Sequence, residues 1–532
     1  MTRAAVAHRA AAANDVLWAA CLSVGSITLS ITASSLVLAQ IQADLDVGIT
    51  RLQWVVNGFI LSFAALLLPC GSLADRIGLR SLFLPGSAIF ALATVISALA
   101  PSFAVLMVGR LLLGCGAALI SATAPPAITA AIRGEAERKR AFGFFGAAGG
   151  VGLTLGALLA GITASWGGWR AALAIQLPFV IAAFVIARRG LHDSPSSDAP
   201  LSHSPSGTPA SSFDWPGALL SCIGIGAAMV FGVTGAELGW SSPPMLIALA
   251  VASVCGAAFV VAETRHPAPL VSLDVFCNRR FLLACILCLL FTIVWVALFI
   301  YVPLHLQMLQ ARSALDAGMT MLGLMVPGLV MPLLSSRMAV RWRMSFVLCG
   351  GFILMATGLL MLLAGWSDYH VRTSGARTLE MLGLMACGAG VGTLYGLVDY
   401  MALTAFPPHR SGVASGTFNL VRLAGDALGA IIPGAILLQT VQNALAPHVP
   451  GDAPRAVIGA IAAGHFTAVE RLDVQPAVLS HLLRVAGIAF AHGMSCVLWV
   501  LCALAAVGAA AGFAGSDRLP GASDQPRPRQ GA

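Results

Sequence analysis

The sequence predicts an all-α polytopic membrane protein with 14 transmembrane helices, and three observations carry that reading. Of its 532 residues, 58% are hydrophobic and 10% are charged, whereas soluble domains carry about 25% charged residues. The apolar residues gather into runs of about 20, the length that crosses a bilayer, and these runs recur along the whole chain. The basic residues sit between the runs, concentrated in alternate gaps, as the positive-inside rule requires of a polytopic protein.

The first run, 17–39, follows Arg3, His8 and Arg9. No small-residue cleavage site comes after it, so it reads as a retained helix rather than a signal peptide. The next five spans are 54–74, 81–100, 103–130, 141–162 and 170–188, and they complete a first six-helix unit at 17–190. Residues 191–213 are rich in Ser, Pro and Ala and read as a flexible cytoplasmic linker. Two additional spans, 215–236 and 244–262, occupy 214–263. A second six-helix unit fills 275–513, with spans at 281–303, 316–336, 345–365, 379–403, 413–439 and 487–512. Within it, 440–486 reads as an external loop.

An even number of crossings puts both termini on one side. Of the 30 basic residues, 20 fall on the side of the termini and 8 on the other, while Arg110 and Arg422 lie inside spans. The excess therefore marks the cytoplasmic face of the cell (inner) membrane. The formal charge of +8 reads as topology and not as nucleic-acid binding, because no basic groove interleaved with aromatic residues accompanies it.

Other chemistries lack their residues. The 12 cysteines fall mostly in apolar runs, and Cys285 and Cys288 form a C-x-x-C inside a span without a nearby partner pair. They read as helix packing, with neither a metal nor an extracellular disulfide expected. No G-x-x-x-x-G-K-[ST] is present for an ATP-driven pump. No cluster of His, Cys and carboxylates marks an enzyme, and no cofactor is implied.

The connection between spans two and three is informative. It reads Gly71-Ser-Leu-Ala-Asp75-Arg76-Ile-Gly78-Leu-Arg80. Its glycines let helix ends pack closely, and Asp75 can accept hydrogen bonds from a neighbouring helix N-terminus. This stretch resembles the loop signature of the major facilitator superfamily, placed where that family has it. The six-plus-two-plus-six arrangement is similar to its fourteen-helix drug:proton antiporter branch. So are Leu29 to Leu45, Trp54 to Phe59, Trp169 to Pro178 and Ser411 to Arg422. The resemblance implies a major facilitator fold of two six-helix bundles plus two extra helices, and a transporter.

A charge within hydrocarbon is costly, so each one in a span is a candidate for transport or coupling. Arg110, in Arg110-Leu-Leu-Leu113-Gly114, matches a family motif whose Arg is implicated in proton coupling, with Leu113 where the family has Gln. Arg422 and Asp426 are four apart and share a helix face, which predicts a direct pair. Asp399 is a further candidate, while His492 reads as a core histidine. Gly152, Gly156 and Gly161 allow close helix packing and resemble an antiporter motif, with Ala157 where that motif has Pro. Ser30 stands where the family commonly has Asp, so either a proton uses another carboxylate or the coupling differs in this chain.

The expected function is secondary active export of drugs or other amphipathic small molecules, by proton antiport. The alternative is proton-coupled or facilitated uptake of a small metabolite. The implied partners are such a substrate, protons and the lipid bilayer, and nothing in the chain specifies a periplasmic adaptor. The charge asymmetry makes a topological prediction. Cysteines introduced at Ser197 and Arg518 are expected to be cytoplasmic and one at Gly451 external. Impermeant thiol labelling of intact cells, in a cysteine-depleted background, checks this; external labelling at Ser197 contradicts the span count.

Overall fold

A computed structural model describes residues 3–46, 49–132, 134–191, 214–238, 242–265, 274–310, 312, 314–366, 374–406, 411–445 and 476–516. Most of the linker 191–213, much of the loop 440–486, and Ser197, Gly451 and Arg518 lie outside the described residues. What is described is helical throughout. In order, the helices are α1 (Arg3–Leu36), α2 (Leu38–Leu45), α3 (Ile49–Ile77), α4 (Leu79–Ala98), α5 (Phe103–Ala131), α6 (Glu135–Ala174) and α7 (Leu177–Gly190). Next come α8 (Trp215–Leu238), α9 (Pro243–Arg265), α10 (Asp274–Cys277), α11 (Arg279–Met308) and α12 (Ala314–Arg341). The last five are α13 (Met344–Gly365), α14 (Ser374–Leu394), α15 (Leu397–Leu403), α16 (Ser411–Leu445) and α17 (Pro476–Ser516).

Among the described residues, 13 stretches are long and apolar enough to cross a membrane, against the 14 expected. The difference has a local cause. Expected spans 141–162 and 170–188 fall within one stretch, Glu135–Gly190, of 56 residues. At 1.5 Å per residue a continuous helix of that size would be about 84 Å long, far beyond the roughly 30 Å hydrocarbon core. It is not continuous. Gly168 has φ 66°, a left-handed conformation inside α6 that L side chains rarely adopt. A second interruption follows at 175–176, where Pro178 opens α7. The span expected at 379–403 is also broken, between α14 and α15 at Gly396, φ 83°.

Two groups of helices result. In the first, α1 packs on α5, α6 and α7, α3 on α5, and α4 on α5 and α7. In the second, α11 packs on α16 and α17, α12 on α14, and α13 on α14 and α17. The groups meet along two seams, α3 against α16 and α6 against α12. The α8–α9 hairpin lies outside both, with α8 resting on α3, where Cys222 Sγ donates to the Ala65 carbonyl at 3.2 Å. Apolar side chains on the outer faces stay exposed, as lipid-facing surfaces require, including Leu246, Ile247 and Val254 of α9.

Small residues set the closest approach in the first group. A Cβ at Gly152 would lie 2.9 Å from the Gly25 carbonyl carbon, and one at Gly156 would lie 3.0 Å from Leu29 Cα, so α6 meets the α1 backbone directly. Gly161 is exposed, and a Cβ there would meet only the Leu36 side chain at an ordinary 3.6 Å. Gly152→Val and Gly156→Val are each expected to cost about 1–3 kcal/mol through overpacking, and Gly161→Val much less. Thermal unfolding in detergent ranks them; a Gly161 variant as damaged as the other two contradicts this packing.

Candidate functional site

The charged residues inside the two helical groups find different partners. Arg110 of α5 is fully buried. Its Nε donates to the Val55 carbonyl of α3 at 2.7 Å, and its Nη1 to Ser30 Oγ of α1 at 3.3 Å. The guanidinium carbon lies 5.4 Å from the Phe59 ring centre. A carbonyl, a hydroxyl and a ring face therefore satisfy this cation in part, and Nη2 has no hydrogen-bond partner. Its surroundings hold it between α1, α3 and α5.

Arg422 of α16 forms an ion pair through Nη2 with Asp399 Oδ1 of α15. This corrects the expected pairing with Asp426. Helical spacing places Asp426 one turn away on the same face, but the break at Gly396 swings α15 inward and delivers a carboxylate from another element. Asp399 sits in the first turn of α15, where the positive end of a helix dipole favours an anion. Its Oδ2 is buried without a hydrogen-bond partner. Arg422 also lies over the rings of Tyr395 and Phe418, at 5.0 and 5.2 Å. Asp426 is half-buried and remains within the electrostatic reach of Arg422. Asp399 is thus the ion-pair partner, and Asp426 is a second carboxylate that feels the same guanidinium without pairing to it.

The break that delivers Asp399 also joins the two groups. Gly396 packs against the Phe142 carbonyl of α6, where any Cβ would collide, and Tyr395 stands against Gly146 of the same helix. Broken helices in membrane proteins expose backbone groups and helix ends that can bind ligands and ions. Tyr395 and Gly396 were not among the residues singled out from the sequence; a Tyr-Gly pair inside a predicted span was the available signal.

Around the Gly71–Arg80 connection, α3 and α16 meet end to side. Asp75 Oδ2 accepts from the backbone N–H of Val413 at 2.8 Å. Val413 lies in the first turn of α16, so the carboxylate satisfies one of the orphan donors of a helix N-terminus. Gly78 supplies the turn, with φ 94°. Beside this seam, Ser415 Oγ of α16 donates to the Ser121 carbonyl of α5 at 3.1 Å. Arg76 and Arg80 belong to the same connection.

Three polar groupings were not expected as partnerships from the sequence. At the end opposite the Gly71–Arg80 connection, Arg312 Nη2 pairs with Glu380 Oε1 at 2.8 Å, while Glu380 Oε2 accepts from Trp366 Nε1 and Gln310 Nε2. The His305 ring stacks on Trp366 with centroids 3.7 Å apart. Glu380 lies just inside the predicted span 379–403, and an acid at that depth was the missed signal. At the same end of the first group, Asp44 Oδ2 pairs with Arg170 Nη1 at 2.6 Å and accepts from Trp169 Nε1. The Arg170 and Trp169 hydrogen bonds hold the Asp44 carboxyl below its ordinary range. The pair is therefore present at neutral pH and is lost only as pH falls through that lowered value. The third grouping surrounds Lys139. His492, expected in the core, is instead exposed on α17, lining a cleft with Gln439, Thr440 and Asn443.

Comparison with known proteins agrees with this architecture. The family description "Major Facilitator Superfamily" matches residues 19–430. The chain belongs to the major facilitator superfamily. It is 29% identical over 421 residues to the multidrug resistance protein Stp of Mycobacterium tuberculosis, covering 79% of this chain and 75% of that protein. It is 28% identical over 421 residues to a methylenomycin A resistance protein of Streptomyces coelicolor, covering 78% and 83%. The solved structure of the proton:xylose symporter XylE superposes with a TM-score of 0.55 at 13% identity, over 94% of this chain and 95% of that one. That likeness is one of fold. Family and fold alike point to a multi-pass membrane transporter rather than an enzyme.

Proposed function

We propose that this superfamily member exports drugs or other amphipathic small molecules across the cell (inner) membrane in exchange for protons. Relatives named for resistance to several drugs or to one antibiotic support export as the direction. The observation that carries proton exchange is the Asp399–Arg422–Asp426 grouping. With both acids ionised it holds one negative charge in excess, and a single proton neutralises it.

The cycle then follows from the geometry. Residues 17–190 and 275–513 act as the two rocking halves, separated along the chain by the linker 191–213 and the hairpin at 214–263. The seam at Asp75 is latched, so the structure corresponds to the state closed on the cytoplasmic side, where the basic excess places both termini. A substrate entering from the cytoplasm competes with the proton for the carboxylates beside Arg422 and displaces it to the cytoplasm; once the halves have turned outward, the substrate leaves and a proton from outside takes its place. Reprotonation from outside lets the halves return. Arg110 is held without an acid and serves as a fixed charge in the first half, as Ser30 cannot take up a proton at physiological pH. The scarcity of charge elsewhere in the spans suits an amphipathic substrate better than a sugar or phosphate.

Everted membrane vesicles carrying an imposed pH gradient, offered lipophilic cations and neutral drugs, test direction and coupling together. Asp426→Asn is expected to keep substrate binding while losing the dependence of transport on the gradient. Asp399→Asn leaves Arg422 unpaired, and is expected to cut transport per folded molecule severely at any gradient. An Asp426→Asn protein that still follows the gradient moves the proton to another group and contradicts the proposed exchange site.

A further inference from the structure

Lys139 is the single lysine in a chain whose other 29 basic residues are all arginine, and it sits where the two helical groups touch. Its Nζ donates to the Ala339 carbonyl of α12 at 3.2 Å, pairs with Glu135 at 2.8 Å, and lies 5.8 Å from the centre of the Tyr400 ring of α15. Its side chain is 15% exposed, whereas that of Glu135 is 63% exposed. The Lys139 side chain is therefore largely buried at the contact between the groups, while its Glu135 partner faces solvent.

The two seams are built alike. On one, Gly416 of α16 lies against Leu67 and Gly71 of α3; on the other, Gly143 of α6 lies against Pro332 and Ser336 of α12. In each case a glycine fits over two residues four apart on the facing helix. Aligned on those contacts, Ala339 stands within one residue of the place that matches Asp75. The second seam thus has no acid where the first has Asp75. It has a carbonyl in the last turn of α12, which ends at Arg341, one of those left without an intrahelical donor.

We propose that Lys139 is a positioning residue for the transport cycle, a second latch that closes the α6–α12 seam as Asp75 closes the α3–α16 seam. The two latches have opposite polarity. Asp75 places an anion on the N-terminus of α16, and Lys139 places a cation on the C-terminus of α12, each the favourable sense for its helix end. Glu135, one turn before Lys139 on α6, orients the ammonium. Tyr400 follows Asp399 on the short α15, so a shift of α15 when the Asp399–Arg422 pair opens reaches the latch through one residue. The inference rests on the alternating-access reading given above.

Because no other lysine competes, an amine-directed acylating reagent reads this latch in the natural protein. Acylation of Lys139 in the full-length protein in detergent, followed by mass spectrometry, is compared with the same peptide after digestion. The latched ammonium is expected to react roughly tenfold more slowly, the scale of a charge at a partly buried helix end. Asp75→Ala is expected to recover most of that rate, because the two seams open together. Lys139→Arg is expected to keep transport and Lys139→Met to lose most of it, at equal amounts of monodisperse protein. Equal acylation of protein and peptide overturns the proposal. So does a slow rate that Asp75→Ala leaves unchanged, or full transport by Lys139→Met. Failure of the export reading shows separately, as an unaltered chain that moves no substrate down an imposed pH gradient whatever the acylation rates.

Discussion

Hydrocarbon does not solvate a charge, and an unpaired ion taken out of water costs several kcal/mol even after the protein relaxes around it. The arrangement of this molecule follows from how each buried charge meets that constraint. Arg422 meets it with Asp399, supplied by a different helix. Arg110 meets it with the Val55 carbonyl, the Ser30 hydroxyl and the Phe59 ring. Asp75 and Lys139 meet it with the unsatisfied ends of helices across the two seams. The first pair belongs to the interior of one half, the last two to the contact between halves. A cycle that separates the halves would break both of these contacts at once and leave Arg110 with its partners.

The helix break at Gly396 ties these features together. A continuous helix through 379–403 would carry Asp399 past Arg422 and close the backbone to other groups. Broken there, the chain offers a new N-terminus beside Asp399 and packs tightly on the Phe142 carbonyl of α6. The short α15 then has Asp399 turned to Arg422 and Tyr400 under Lys139. One seven-residue helix touches both the buried ion pair and the contact between the halves.

The spans were legible because hydropathy and charge bias act over 20 residues at a time and survive local irregularity. The contact of Asp75 was legible in kind, since a carboxylate between glycines at a helix turn seeks backbone donors; that the donor is Val413, 338 positions away, was not. The partner of Arg422 was misread for the opposite reason. Spacing along one helix is a local rule, and it named Asp426, whereas the pair formed depends on a backbone break that moves α15. Glu380 and Arg312 were overlooked because their sequence neighbours look like ordinary span ends. Their partnership, with Trp366 between, exists only once α13 and α14 pack. Lys139 looked like one more cytoplasmic cation.

The central claim is that substrate and proton compete for the grouping around Arg422. It is tested most directly by counting protons released when a transported compound, chosen from the vesicle screen, binds the purified protein in weakly buffered solution with a pH-sensitive dye. The account predicts a proton released on binding by the unaltered chain and none by Asp426→Asn, with binding retained in both. Binding without proton release by the unaltered chain, or undiminished release by Asp426→Asn, would contradict it.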